Sequence, residues 1–447
     1  MRILVLNDDK IGPSMAGPPI RALNLACELA LEHEVRLVST RGCDLVRVDV
    51  DCRYVPYENL QPQVAWADIV VLQGFVLEKA PWIAGTGVIL VVDLYDPMHL
   101  EQLAMAGSLD PKTRQAYVHK CVRVLNQQID RGDFFLTASE QQRAFWLGSL
   151  AALGRLNPAM YDEDPSFTSR VAIVPFGLSN EDPQRTGPGI KGVVPGIADD
   201  DQVLLWAGGV YNWFDPLTLI RAVARLPKHV KLFFLGMGHP DPDIPQMATA
   251  VAARELADSL ELTGRRVFFN ETWVRYAERQ NYLLDADLGV STHAVHVETT
   301  FSFRTRMLDY LWAGLPMIST VGDTFAAMIE AQGMGLTVPE SDVDALAAAI
   351  SRLLDDPVFA AQAREAVERV RPAFTWAAAA APLVEFCRNP SRAPDAGEPR
   401  LEVPNLAPVS VRGDIRLIKE YLGQGGAKEV VRRAGGRVTR VLRESRR

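Results

Sequence analysis

Long apolar runs are scarce in this chain of 447 residues, and the longest, such as Gly87 to Val92, are far too short to cross a bilayer. No extended apolar stretch with a small-residue cleavage site follows Met1 to Asn7 (MRILVLN), which reads as a buried first strand and not as a signal peptide. Cysteine is sparse as well. Cys27, Cys43, Cys52, Cys121 and Cys387 form no CxxC pair and no metal-ligand spacing, which argues against a disulfide framework or a zinc site and suits a reducing cytoplasm. No G-x-G-x-x-G follows the first strand or the run VLLWA at 203–207, which weighs against a nicotinamide-dependent oxidoreductase.

Charge is unevenly distributed. From Arg412 to Arg447 there are eleven Lys or Arg against four Asp or Glu, so the tail carries +7 and the remainder −15 of the net −8. The acidic body disfavours nucleic acid as a partner. Within the tail, Ile415, Ile418 and Leu422 share one helical stripe, and Val430, Ala434, Val438, Val441 and Leu442 share another. A basic amphipathic segment of this kind docks on anionic lipid or packs on the protein itself, and its composition fits both.

Elsewhere short apolar runs alternate with helical patterns. The first set is 2–6, 35–39, 69–73, 88–92, 133–137 and 171–175; the second is 203–207, 231–235, 267–269, 288–291, 317–320 and 335–338. Between the sets lies a Pro, Gly and Asp-rich linker, 180–201. The expected fold class is α/β: two facing, doubly wound Rossmann-like domains with a basic helical C-terminal appendage and a shared cleft at the C-terminal strand ends. The expected boundaries are 1–182, 183–370, a helix at 371–390 returning towards the first domain, a linker at 391–410 and the tail at 411–447.

The stretch from Glu298 to Pro316 (ETTFSFRTRMLDYLWAGLP) reads as one helix whose first turn holds phosphate. Thr299, Thr300 and Ser302 offer capping hydroxyls, and Arg304 and Arg306 add positive charge beside N–H groups that already favour anions. Asp309 lies about two turns on, close to the reach of a ribose attached to a bound diphosphate. Met307, Leu308, Leu311 and Leu315 recur at core spacing, and two arginines on a helix are more often solvated than ligand-binding. However, arginine opposes the dipole at a helix start unless an anion offsets it.

These blocks together resemble the GT-B fold of nucleotide-sugar glycosyltransferases, and in particular a divergent subgroup of the GT4-type (group 1) enzymes, over roughly residues 1–388. VAIVPFGLSN at 171–180, FFLTASEQQRAF at 134–145, KLFFLGMG at 231–238 and DYLWAGLPMIST at 309–320 each look like a landmark of that group. The resemblance implies transfer of a sugar from a nucleoside diphosphate sugar to an acceptor hydroxyl, with retention of configuration, in polysaccharide, glycolipid or other glycoconjugate synthesis. It implies no cofactor beyond the donor substrate and no metal. Asp309 matches the second glutamate of the family's E-x7-E motif, which binds ribose, whereas the first falls on Phe301 or is displaced to Glu298. The family's Arg and Lys for the diphosphate fall on Gly209 and Phe214, so Arg304 and Arg306 are expected to supply the missing charge, with Gly208 and Gly209 letting backbone approach the anion.

By the same resemblance Trp273 and Val274 lie where the base is held, and Asp93 lies where many members place a histidine near the transferred sugar. His293 and Glu298 join Asp93 as candidate catalytic groups. Gly17, Arg21, Asp96 and His99 are candidate acceptor contacts. For Asp93 and His99 the alternative is a turn cap and a helix start, and for Gly17 and Arg21 a plain turn. Asp285-Ala-Asp287 resembles the DxD motif of a different glycosyltransferase fold but reads as a helix end entering a strand. A rival to the enzyme is a non-catalytic, glycosyltransferase-like scaffold that binds nucleotide or glycan. For the tail, loss of sedimentation with anionic liposomes on deleting 411–447 is expected only for membrane docking; sedimentation that survives the deletion excludes tail-mediated docking.

Overall fold

A computed structural model describes residues 1–105, 110–237 and 247–398 of the chain. Residues 1–396 form one compact unit. The expected tail, 411–447, and most of the 391–410 linker lie outside the described residues.

This unit contains two all-parallel sheets. The first runs in the order β3-β2-β1-β4-β5-β6-β7, from β1 (Arg2–Asn7), β2 (Glu34–Ser39), β3 (Asp51–Tyr54), β4 (Ile69–Leu72), β5 (Ile89–Asp93), β6 (Phe134–Thr137) and β7 (Val171–Ile173). The second has the order β10-β9-β8-β11-β12-β13, from β8 (Gln202–Trp206), β9 (Val230–Phe234), β10 (Val267–Phe269), β11 (Leu288–Ser291), β12 (Met317–Thr320) and β13 (Gly335–Val338). Central strands such as β4 and β11 are buried at every position, as parallel strands covered on both faces must be. Both orders reverse next to their first strand, so each sheet has a switch point at its C-terminal edge. Every strand read from the sequence is present within two residues at each end. The edge strand β3 escaped notice because DCRY is partly exposed and carries no apolar alternation.

The expected single helix at 298–316 is two helices, Val297–Phe301 and Thr305–Trp312. Ser302 and Arg304 are extended between them, and Arg304 turns back to grip Glu298 through two bonds of 2.9 and 2.8 Å. Burying that carboxylate with its partner supplies the reason for the break. The second helix starts at Arg304 without any side-chain cap, so Thr299, Thr300 and Ser302 do not cap it.

After the second sheet the chain returns to the first. Leu178 N–H donates to Phe374 O at 2.8 Å and Trp376 N–H to Leu178 O at 2.9 Å. Gly177 has to be glycine here, since a Cβ would come within 2.5 Å of the Trp376 ring. Further on, fully buried Arg155 and Asp395 form a bidentate pair at 2.6 and 2.9 Å, which fixes the end of the compact unit on the first sheet's layer. Among the described residues no helix is long and apolar enough to cross a membrane.

Candidate active site

The C-terminal ends of both sheets open on a cavity of about 410 Å³. Its floor on the second-sheet side is built by the helix Thr305–Trp312. Tyr310 points its hydroxyl within 2.8 Å of Leu205 O and 2.9 Å of Val290 O and accepts from Ala207 N at 3.0 Å. Gly289 of β11 leaves room for that ring, because a Cβ there would lie 2.3 Å from it. The helix is thereby fixed across β8 and β11, and its first turn faces the cavity with Arg304, Thr305, Arg306, Leu308 and Asp309.

Arg306 is buried at 6 % exposure, donates one bond to Gly209 O at 2.7 Å, and stacks over Phe214 at 3.9 Å and Trp206 at 4.2 Å. Its Nη1 has no hydrogen-bond partner among the described residues. Burial pulls its pKa down to about 10, which still leaves it charged at neutral pH. Arg304 also lies over the Phe214 ring, at 4.9 Å. Phe214 thus supports the two arginines from the position where the resemblance places a lysine. Gly208, at φ +90° and with open space where a Cβ would stand, presents free backbone to the same wall.

Asp309 accepts from Arg279 Nε at 2.9 Å and remains partly open to the cavity. Arg279 in turn stacks on Tyr276 at 3.7 Å and Trp312 at 4.4 Å. Trp273 and Val274 line the same end, as do Gly209 and Ser302.

On the first-sheet side Gly17 and Asp96 line the cavity, with Tyr95, Glu101 and Phe176. Arg21 and Asp93 do not. Arg21 is fully buried and grips Asp93 through bonds of 2.6 and 2.9 Å while donating to Val174 O and Pro175 O at 2.8 Å each. The readings of Arg21 as an acceptor contact and Asp93 as a catalytic group therefore give way to a structural pair joining the helix Gly17–Ala30 to the ends of β5 and β7. His99 is packed on Phe145 and Trp146, and burial drives its pKa down to about 4. It lies off the cavity, as do His293, Glu298, Thr299 and Thr300. His293 is fully buried, 3.3 Å from Asp323, and Glu298 is taken up by Arg304. Thr299 Oγ1 donates to Ala294 O at 2.8 Å, and Thr300 is exposed.

Asp285 and Asp287 are occupied structurally: Asp285 accepts from Ile190 N and Lys191 N, and Asp287 from Val203 N at 2.7 Å. Among the described residues no group of three or more His, Cys, Asp or Glu is placed to hold a metal ion.

The two halves meet at Gln142, which is fully buried and donates to Tyr95 O and to Phe301 O at 2.7 Å each. Across this joint three carboxylates face one another. Burial, then Glu298, holds the Asp96 pKa up at about 7; burial, then Asp96, raises Glu101 well above the carboxylate range. Arg279, Tyr276, Trp213 and Gln142 were not singled out in the sequence. An arginine and two aromatics within the loop after β10 were a readable signal for the first two; the position of Gln142 was not readable, because it depends on two distant segments meeting.

Residues 201–356 match the family of glycosyl transferases group 1. No curated protein sequence matches the chain. Among solved structures, sucrose-phosphate synthase from Thermosynechococcus elongatus superposes with a TM-score of 0.63 at 18 % identity, covering 87 % of this chain and 98 % of its own. HepE from Anabaena, solved in complex with UDP, gives 0.60 at 14 % over 87 % of this chain and 100 % of its own. WaaG, a glycosyltransferase involved in lipopolysaccharide biosynthesis, gives 0.61 at 16 % over the same shares. The expected GT-B fold is borne out by these superpositions.

Two outcomes test the first-sheet wall. Arg21→Ala and Asp93→Ala each lower the unfolding free energy in urea by about 3–5 kcal/mol, because each strands a buried charge; a loss below about 1 kcal/mol contradicts a structural pair. Asp96 keeps a proton in the folded state that the unfolded chain releases near pH 4. Stability therefore falls as pH rises from about 4 to about 7, with a slope of up to about 1.4 kcal/mol per pH unit from this group. Asp96→Asn lessens the slope of urea-measured stability over that window, leaving the part that Glu101 contributes with the same sign, and an unchanged slope excludes the retained proton on Asp96.

Proposed function

We propose that this chain, in which residues 201–356 belong to the glycosyl transferases group 1 and the two sheets form a GT-B fold, transfers a sugar from a nucleoside diphosphate sugar to an acceptor hydroxyl. The observation that carries the reading is Arg306: a buried, charged guanidinium on the cavity wall whose Nη1 has no acceptor among the described residues. Leaving such a group unpaired is costly, and a diphosphate oxygen satisfies it. Arg304 beside it and the open backbone at Gly208 suit the same anion. Asp309, on the same helix, suits the ribose, and the wall of Trp273 and Val274 suits the base. Asp96 and Glu101 suit acceptor hydroxyls, since a carboxyl pair that retains a proton can both donate and accept.

In this arrangement departure of the diphosphate from the anomeric carbon leaves negative charge on the outer phosphate. Arginines fixed by aromatic faces meet that charge without reorganising, and the closed joint at Gln142 excludes water. Retention of configuration rests on the resemblance to group 1 enzymes. The scaffold reading drew its force from the altered E-x7-E motif and the lost Arg and Lys; the placement of Arg306 on the cavity wall weakens the second ground. Polysaccharide or glycolipid synthesis and docking of the tail on an anionic membrane are consistent with this function.

UDP is the first nucleotide to test, because HepE was solved with it. Titration calorimetry on Arg306→Ala is expected to show affinity for the cognate nucleoside diphosphate reduced about 10- to 100-fold, equivalent to about 1.5–3 kcal/mol for a charged hydrogen bond. Arg306 is the cleaner probe, since truncating Arg304 also strands buried Glu298. Unchanged affinity in the variant, or no affinity of the native chain for UDP, GDP or dTDP or their sugars, overturns the assignment.

A further inference from the structure

Trp213 sits in the loop after β8, between Gly208 and the helix Pro216–Arg225, and is 7 % exposed. Its ring lies flat against Tyr211, with centroids 4.9 Å apart and planes 11° from parallel, and 5.9 Å from Phe214, the ring that supports Arg304 and Arg306. The indole orientation is thus fixed from two sides. Nε1 is buried and has no hydrogen-bond partner among the described residues, although Trp213 lines the cavity. The deeply buried Trp206 of this half and Trp146 of the facing layer find acceptors, Gly209 O at 3.3 Å and Leu94 O at 2.9 Å, whereas Trp376, whose buried Nε1 also has no hydrogen-bond partner among the described residues, does not line the cavity. A buried indole N–H ordinarily finds an acceptor. Here Arg306 Nη1 and Arg304 Nε, two further buried donors without one among the described residues, belong to residues of the same wall. Three orphaned donors braced by one aromatic cluster, beside open glycine backbone, want an oxyanion.

We propose that Trp213 donates its indole N–H to the terminal phosphate of the nucleoside diphosphate, making it a donor-binding residue that neither the motifs nor the family match assigns. The inference rests on the nucleotide-sugar reading of the cavity. A neutral N–H at this point adds directional binding without a further cation, so part of the affinity for the outer phosphate is insensitive to salt.

The test compares UMP, UDP and UDP-glucose by calorimetry on the full chain and on Trp213→Phe, which keeps an aromatic ring against Tyr211 and removes the donor. UDP affinity is expected to fall about 10- to 100-fold, the range for a hydrogen bond to a charged group, while UMP affinity stays within about twofold. Equal loss for UMP and UDP means the ring acts by packing or on the base, and overturns the proposal. So does an unchanged UDP affinity, or a loss confined to UDP-glucose, which assigns the N–H to the sugar. A native chain that binds none of the nucleotides, nor GDP or dTDP, refutes the nucleotide-sugar reading itself, whereas UDP binding that ignores the substitution refutes only the role of Trp213. Should the variant fail to fold, the indole N–H spectrum of the native protein decides. One tryptophan resonance that moves with UDP and not with UMP supports the proposal, and its absence overturns it.

Discussion

The hydroxyl of Tyr310 is the fixed point of the second-sheet side of the cavity. Placed between Leu205 O, Val290 O and Ala207 N, it pins a helix of only eight residues across two neighbouring strand ends. A helix this short has little stability of its own, so its orientation is set by this contact and by the buried stripe of Met307, Leu308 and Leu311. Everything chemically relevant on it follows from that placement. Arg306 stands one turn before Tyr310 and reaches Gly209 of the loop after β8; Asp309 stands beside Tyr310 and meets Arg279 from the loop after β10. One phenol thereby brings this helix and two loops together at the cavity, and Gly289 is the concession that β11 makes to it.

A second constraint operates across the joint. Glu298, Asp96 and Glu101 are carboxylates brought together where the two sheets' layers meet, and Arg304 pairs with Glu298 directly. Two ways exist to keep such a cluster folded: neutralise by pairing or neutralise by proton. The chain uses both, pairing Glu298 with Arg304 and holding protons on the other two. Gln142 then has a clear task. Its carboxamide donates to carbonyls from opposite halves at the point where charges repel, so the joint is held by neutral hydrogen bonds.

The sequence made the sheets legible because parallel strands buried on both faces leave continuous apolar runs, and β4 (IVVL) and β11 (LGVS) need no partner to be recognised. That Arg304, Arg306 and Asp309 share one wall was also legible, since they carry their spacing on one short segment, and all three line the cavity. What misled was charge read without depth. Arg21, Asp93 and Glu298 look like site residues along the chain, yet each is taken up by a buried partner, and that partner for Arg21 stands 72 positions away. Similarly, the break between the two helices at Ser302 follows from Arg304 folding back on Glu298, which no helical propensity at those positions foretells.

The aromatic setting of the arginines bears on how the loop GGVYNWF, which lacks cations, suits the proposed anion. A lysine from this loop is a flexible, strongly hydrated point charge that has to be desolvated and ordered when phosphate arrives. Arg306 is already desolvated, as its lowered pKa records, and it is already ordered between Trp206 and Phe214. Its weaker hydration and planar shape make that prior burial tolerable, and the ring faces return part of the lost solvation. An anion that enters therefore meets a donor whose reorganisation is complete, in surroundings of low dielectric where each contact is stronger than in water. The aromatic residue in one loop and the two arginines at the start of the opposing helix are then parts of one arrangement: Phe214, which lines the cavity, and the fully buried Trp206 hold the charge in place.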